Sequence, residues 1–308
     1  MIELITQPLG FEFMRHALAV AVVAAVACGM LSCWLVLMGW SLMGEAVAHS
    51  ILPGVVLAYI FGAPMAVGAF IFGMLAVLLI GGIRRSSTLK HDTAIGVVFT
   101  SLFALGLVLI SRTPSETHLQ HILFGNVLGT SRGDLYQVAV LGLITVLVLL
   151  LKRRDFVLLA FDRVHAHTIG LSAAGLSTLL LMMLALTTVT ALQTLGIILV
   201  VAMLVIPGAT AFLLVRTFSR MLLVAASTAT AAAVVGVYVS YWADLATGGC
   251  IVLVQALQFT LAYVFAPSKG LLGRALARRR TATSGGPLAT VETDPTIAPP
   301  ELSTERLP

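Results

Sequence analysis

Residues 39–54 read GWSLMGEAVAHSILPG. Between His16 and Arg84 the chain holds one charged residue, Glu45, and one histidine, His49. Unbroken apolar sequence flanks the stretch on both sides, so it reads as part of a membrane helix. Four residues of helix put both side chains on one face, about 6 Å apart along the axis. Pro53 follows four residues later and has no N–H to give to the carbonyl of His49. A carboxylate, an imidazole and a freed carbonyl therefore gather within a turn or two, where polar groups are expensive.

The rest of the chain supports that setting. Of 308 residues, 59% are hydrophobic and 10% charged, against roughly 25% charged in soluble domains. The apolar runs are continuous and about 20 residues long, which predicts helices and not barrel strands. The expected class is an all-α polytopic membrane protein with about nine transmembrane helices. Lys and Arg cluster between the apolar runs, so the net charge of +5 is a topology signal and not a nucleic-acid one. Cys28, Cys33 and Cys250 lie in apolar runs without a CxxC pair and read as buried small hydrophobes. The first run, Met14–Met38, is too long for a signal-peptide core and is expected to stay as a helix. No GxxxxGK[ST] phosphate loop occurs, so any ATP-driven work would use ATP bound by another chain.

The expected spans begin with Met14–Met38, Ser41–Phe61, Pro64–Ile83, Thr93–Ser111 and Leu135–Leu151. Leu171–Thr190, Leu192–Val215 (interrupted at Pro207-Gly208), Met221–Trp242 and a last helix ending near Pro267 complete the set. With nine crossings, Arg84/Arg85/Lys90, Lys152–Arg154, Arg216/Arg220 and Lys269 onward share one side, which the positive-inside bias makes cytoplasmic. The chain thus divides into a transmembrane domain, residues 1–268, and a cytoplasmic C-terminal part, residues 269–308. Lys269–Arg280 reads as a juxtamembrane segment on anionic lipid. Thr281–Pro308 lacks apolar residues to bury and reads as a disordered tail.

An intramembrane carboxylate must face the bundle interior. Glu45 lies about 6 Å and His49 about 12 Å above the start of their helix by its rise. The pair suits a divalent metal such as Mn²⁺, Fe²⁺ or Zn²⁺, a proton relay, or a plain hydrogen bond to a neighbouring helix. Asp244, after Ser240-Tyr241-Trp242, either guides cations or caps its loop, and the cap is the simpler reading. Gln193 either lines a cavity or satisfies backbone at a helix end. Pro207 frees the carbonyl of Met203 and permits a bend. His118 and His121 sit in an outward loop as solvated residues or metal-transfer ligands. His165 and His167 lie on the inner side, placed to touch a partner.

Six blocks carry a resemblance: MGEAVAHSILPG, HDTAIGVVFT, HILFGNVLG, LAFDRVHAHTIGL, LQTLGIILVVAMLVIPGATA and SYWADLATGGCIVL. In this order they resemble the metal-ion permeases of bacterial ABC importers, nearest the manganese/iron branch, over roughly Phe13–Leu272. The resemblance implies a multi-pass permease of the bacterial inner membrane, paired with a second copy or a sister permease. It implies cytoplasmic ATP-binding subunits and an extracytoplasmic metal-binding protein as partners. Manganese, iron or zinc would be transported, with no cofactor held permanently. Family members carry a G-D-A-x-S-H pattern thought to hold the metal; here Glu45 stands for the aspartate, Ala48 for the serine, and His49 matches. The segment Phe161, Asp162, Ala166 to Gly170 resembles the family's ATPase-coupling segment. Pro53, Pro207 and Gly208 are candidate gating or hinge positions. The chain is expected to be a transport subunit and not an enzyme. The competing class is a proton-coupled secondary transporter, which often shows internal repeats, and the Glu-x-x-x-His block is not repeated in the second half.

Overall fold

The computed structural model describes residues 7–112, 130–266 and 270–271. His118, His121 and the HILFGNVLG block fall outside those residues, as does the C-terminal part apart from Gly270 and Leu271. The principal helices are α1 (Glu12–Leu37), α2 (Ser41–Ser50), α3 (Leu52–Ile60), α4 (Met65–Ser86), α5 (His91–Arg112) and α6 (Arg132–Leu151). They continue with α7 (Arg153–Phe161), α8 (Arg163–Thr168), α9 (Ala173–Leu195), α10 (Ile197–Leu214), α11 (Phe218–Ala243) and α12 (Thr247–Phe265). Among the described residues nine helical stretches are long and apolar enough to cross a membrane, with α2 and α3 together forming the second, Ser41–Ile60. The chain is an all-α, multi-pass membrane protein, as its apolar runs predict.

α1 is the centre of the bundle. Its Ala17, Ala21, Ala24, Ala25 and Cys28 are buried, and α11, α10 and α6 pack around it. Small residues let the backbones approach, which is how helices gain contact where lipid competes for apolar surface. A Cβ on Gly29 would stand 3.0 Å from that of Ala229, and one on Gly208 would stand 2.6 Å from the carbonyl oxygen of Ser32. Trp34 is wedged at the basic end of α1, edge-on to Phe218 at 4.8 Å and Phe156 at 6.0 Å between ring centroids.

Three differences from the sequence expectation have a local reason. α6 starts at Arg132 because Ser131 and Asp134 form a capping box: Asp134 N–H donates to Ser131 Oγ at 3.2 Å and Ser131 N–H to Asp134 Oδ2 at 2.9 Å. The turn between α9 and α10 falls at Gly196, whose φ of 81° favours glycine. Gln193 is therefore still helical, and its Oε1 accepts from Gln137 Nε2 of α6 at 3.3 Å, a bond between helices and not to backbone at a helix end. The expected interruption at Pro207-Gly208 does not occur: α10 runs unbroken through Pro207. Neighbouring helices tolerate the missing donor there, and Gly208 seats α10 directly on the α1 backbone.

The spans alternate between two poles. Arg84, Lys90, Lys152–Arg154, Arg216 and Arg220 follow or precede spans at one pole. Glu12, Arg132 and Asp244 are at the other. There Arg132 Nε donates to Glu12 Oε1 at 3.0 Å, tying the first turns of α1 and α6 together.

Candidate metal path and coupling segment

The second crossing is broken where Pro53 requires it. α2 ends at Ser50, Ile51 forms the joint with φ −75° and ψ −16°, and Pro53 sits in the first turn of α3. Those dihedrals remain helical, so the chain continues across the joint in one span. α3 is then locked to α4: a Cβ on Gly54 or on Gly68 would collide with the other's carbonyl oxygen. α2 is held differently. Gly44 seats against Leu204 of α10 and Leu35 of α1, with 3.4 and 3.6 Å to a Cβ built there.

Glu45 follows Gly44 and is half-buried. It forms no ion pair and no side-chain hydrogen bond among the described residues. One turn on, His49 is also half-buried, and its Nδ1 is sealed from solvent without a hydrogen-bond partner. Its ring lies against two rings of α5, with centroids 5.2 Å from Phe99 and 5.1 Å from Phe103. The next hydroxyl, Ser50 Oγ, is buried and unpartnered too, as is Thr188 Oγ1 on α9. An isolated unsatisfied polar atom in an apolar interior costs about 1–3 kcal/mol. Two such atoms, His49 Nδ1 and Ser50 Oγ, lie on α2 within a turn or so of the Glu45 carboxylate, and others among the described residues lie on α1 (Trp34 Nε1) and α12 (Gln255 Nε2 and Oε1).

No group of three or more His, Cys, Asp or Glu side chains gathers to hold a metal among the described residues. Glu45 and His49 are thus brought together by one helix, and Asp244 is not brought to them. Asp244 is the C-cap of α11, at the opposite pole from the start of α2, with φ 51° and ψ 46° and its N–H donating to Ser240 O. Ser240 Oγ in turn pairs with the Leu245 carbonyl at 2.6 Å and Thr247 Oγ1 at 2.7 Å, closing the α11–α12 turn. A cavity of about 430 Å³ beside the first turn of α2 is lined by Trp40, Met43, Arg84 and Ser177, without Glu45 or His49.

At the basic pole the chain leaves the membrane spans for two short helices. Phe156 and Leu159 of α7 are buried, anchoring that helix under the bundle. Phe161 ends it, 72% exposed. Asp162 then caps α8, its Oδ1 accepting from His165 N–H at 2.8 Å. Ala166 is fully buried, and Leu171 N–H donates back to its carbonyl at 3.0 Å. Gly170, with φ 82°, occupies the left-handed position that such a Schellman ending needs. So Asp162 and Gly170 bound a capped helical knob that presents Phe161 and Ile169 outward.

Residues 10–266 match the model of the ABC 3 transport family. The chain belongs to that family. Among curated members, the chain is 48% identical to a probable iron transport system membrane protein of Haemophilus influenzae over 265 residues, 86% of this chain and 98% of that one. It is 46% identical to the manganese transport system membrane protein MntB of Synechocystis over 275 residues, 89% and 90% of the two chains. The structure of PsaBC from Streptococcus pneumoniae in complex with Fab superposes with a TM-score of 0.82 at 36% identity, covering 91% of this chain and all of that chain.

Sequence reasoning missed Phe99 and Phe103, the Gln137–Gln193 bond and the Glu12–Arg132 tie. Each joins residues of different helices, and nothing in a single sequence links them. The spacing of Phe99 and Phe103, four apart in an apolar helix, is the only trace that either pair leaves.

Proposed function

We propose that this ABC 3 family member is the membrane-spanning permease subunit of an importer for a divalent transition metal, manganese first and iron or zinc next. The observation that carries the reading is Glu45, a half-buried carboxylate with no cation partner among the described residues, one helical turn from His49. A charge in that position needs a counterion, and a carboxylate with an imidazole is a donor pair for Mn²⁺, Fe²⁺ or Zn²⁺. Two protein ligands are too few for a permanent cage, and that suits transport, where binding must be weak enough to release. Relatives named for manganese and iron transport support the choice of cargo.

ATP hydrolysis then belongs to cytoplasmic ATP-binding subunits. They dock on the knob of Phe161, Asp162, Ala166 and Gly170. Metal arrives from an extracytoplasmic binding protein at the pole of Glu12, Arg132 and Asp244, where Asp244 adds negative charge near the entry. The permease works in the bacterial inner membrane, paired with a second copy or a sister permease, and residues 269–308 follow the 1–268 membrane domain on the cytoplasmic side. Alternating access uses the joint at Ile51-Pro53, whereas Pro207 and Gly208 lie in an unbroken α10 seated on α1. The test is uptake of labelled Mn²⁺, Fe²⁺ and Zn²⁺ in competition, in vesicles holding the ATPase and the binding protein. ATP-dependent uptake with manganese the strongest competitor is expected. Uptake driven by a proton gradient without ATP would favour the secondary-transporter reading instead.

A further inference from the structure

A metal-bound histidine usually donates its second ring N–H to a carboxylate, a backbone carbonyl or water, which fixes the ring and raises the basicity of the ligating nitrogen. His49 has no such partner on Nδ1 among the described residues. What it has instead is aromatic: Phe103 meets the imidazole at 82° between planes, Phe99 at 57°, and the two phenyl rings stack on each other 26° apart with centroids at 6.2 Å. Both come from α5, one turn apart, so a single helix supplies both rings.

We propose that Phe99 and Phe103 are positioning residues for metal transfer: they hold the His49 imidazole in a fixed orientation without supplying the hydrogen bond that would strengthen it as a ligand. This rests on the reading of Glu45 and His49 as the metal contact. Orientation and ligand strength, which a carboxylate partner would raise together, are here separated. The ring is pre-aimed, so no rotamer search precedes capture, while its donor nitrogen stays an ordinary imidazole that lets the metal go. With Nδ1 walled off, Nε2 is the nitrogen left to meet the metal. Edge-to-face packing also confines the ring by shape, so an aliphatic residue of similar volume fills the space and loses the alignment.

The test uses the purified permease–ATPase complex and two readouts, equilibrium binding of Mn²⁺ and the kinetics of Mn²⁺ uptake after reconstitution. The double variant Phe99→Leu/Phe103→Leu is expected to weaken binding and raise KM by about 3- to 10-fold, the range that lost aromatic contacts supply, with kcat within about 2-fold of the parent. Phe103→Tyr, which keeps the ring, is expected to bind and transport as the parent does. Should the double variant fail to assemble, the single leucine variants carry the same comparison. Parental binding and KM in the leucine variants, with binding lost in His49→Ala, would overturn the clamp and leave the metal contact standing. Parental binding in His49→Ala itself would overturn the metal contact and the clamp with it.

Discussion

α2 and α3 are two halves of one membrane crossing, and their neighbours treat them in opposite ways. α3 is fused to α4 through Gly54 and Gly68, backbone on backbone, with no room for one extra carbon. α2 carries most of the polar side chains of the crossing, and several of their atoms have no partner among the described residues: the Glu45 carboxylate, His49 Nδ1 and Ser50 Oγ. The same change of character occurs within a single turn, at the joint that Pro53 makes. The outer half of the span is held by close backbone packing, whereas the inner half leaves polar atoms without a partner among the described residues.

The largest expected break of that contrast is Glu45→Gln. It keeps the shape of α2 and removes its only charge. Metal uptake should fall by at least about 100-fold, the scale of removing one partner from a desolvated charge pair, while the complex with the ATPase still purifies intact. Next come Gly54→Ala and Gly68→Ala, which add one carbon where none fits. Overpacking of this kind costs about 1–3 kcal/mol, so thermal melts should show a lowered midpoint, whereas Gly81→Ala, in α4 with open space around its Cβ, should not.

Smaller effects follow at the knob. Asp162→Ala removes the bond to His165 N–H and should cost α8 about 1 kcal/mol; Gly170→Ala strains a left-handed turn by a similar amount. In both, ATP hydrolysis should continue while Mn²⁺ transport per ATP declines, measured by parallel phosphate release and uptake. Full coupling in both variants would remove the docking assignment. Smallest is Arg132→Ala: an exposed ion pair contributes little, and the melt of that variant should overlay the parent. A large drop there would mean that the α1–α6 tie matters more than its exposure suggests.

How much of this was legible beforehand differs from one residue to the next. The nine spans follow from apolar run length, which the bilayer fixes physically, and the joint at Pro53 follows from a missing donor. Glu45 and His49 stand out because charge within an apolar run is costly. Capping at Ser131–Asp134 was readable in principle, yet the polar stretch before it hid the start of α6. Pro207 misled: a proline suggests interruption, but the close seat of Gly208 on Ser32 keeps α10 whole, and only packing reveals that. Phe99 and Phe103 look like ordinary apolar helix residues until α5 is placed against α2.

Whether Glu45 holds the metal is decided by equilibrium dialysis of Mn²⁺ against the purified complex, parent and Glu45→Gln side by side. The parent is expected to retain Mn²⁺ saturably and the variant to retain none above background. Equal retention by both would show that the metal is held elsewhere and would contradict the reading of α2.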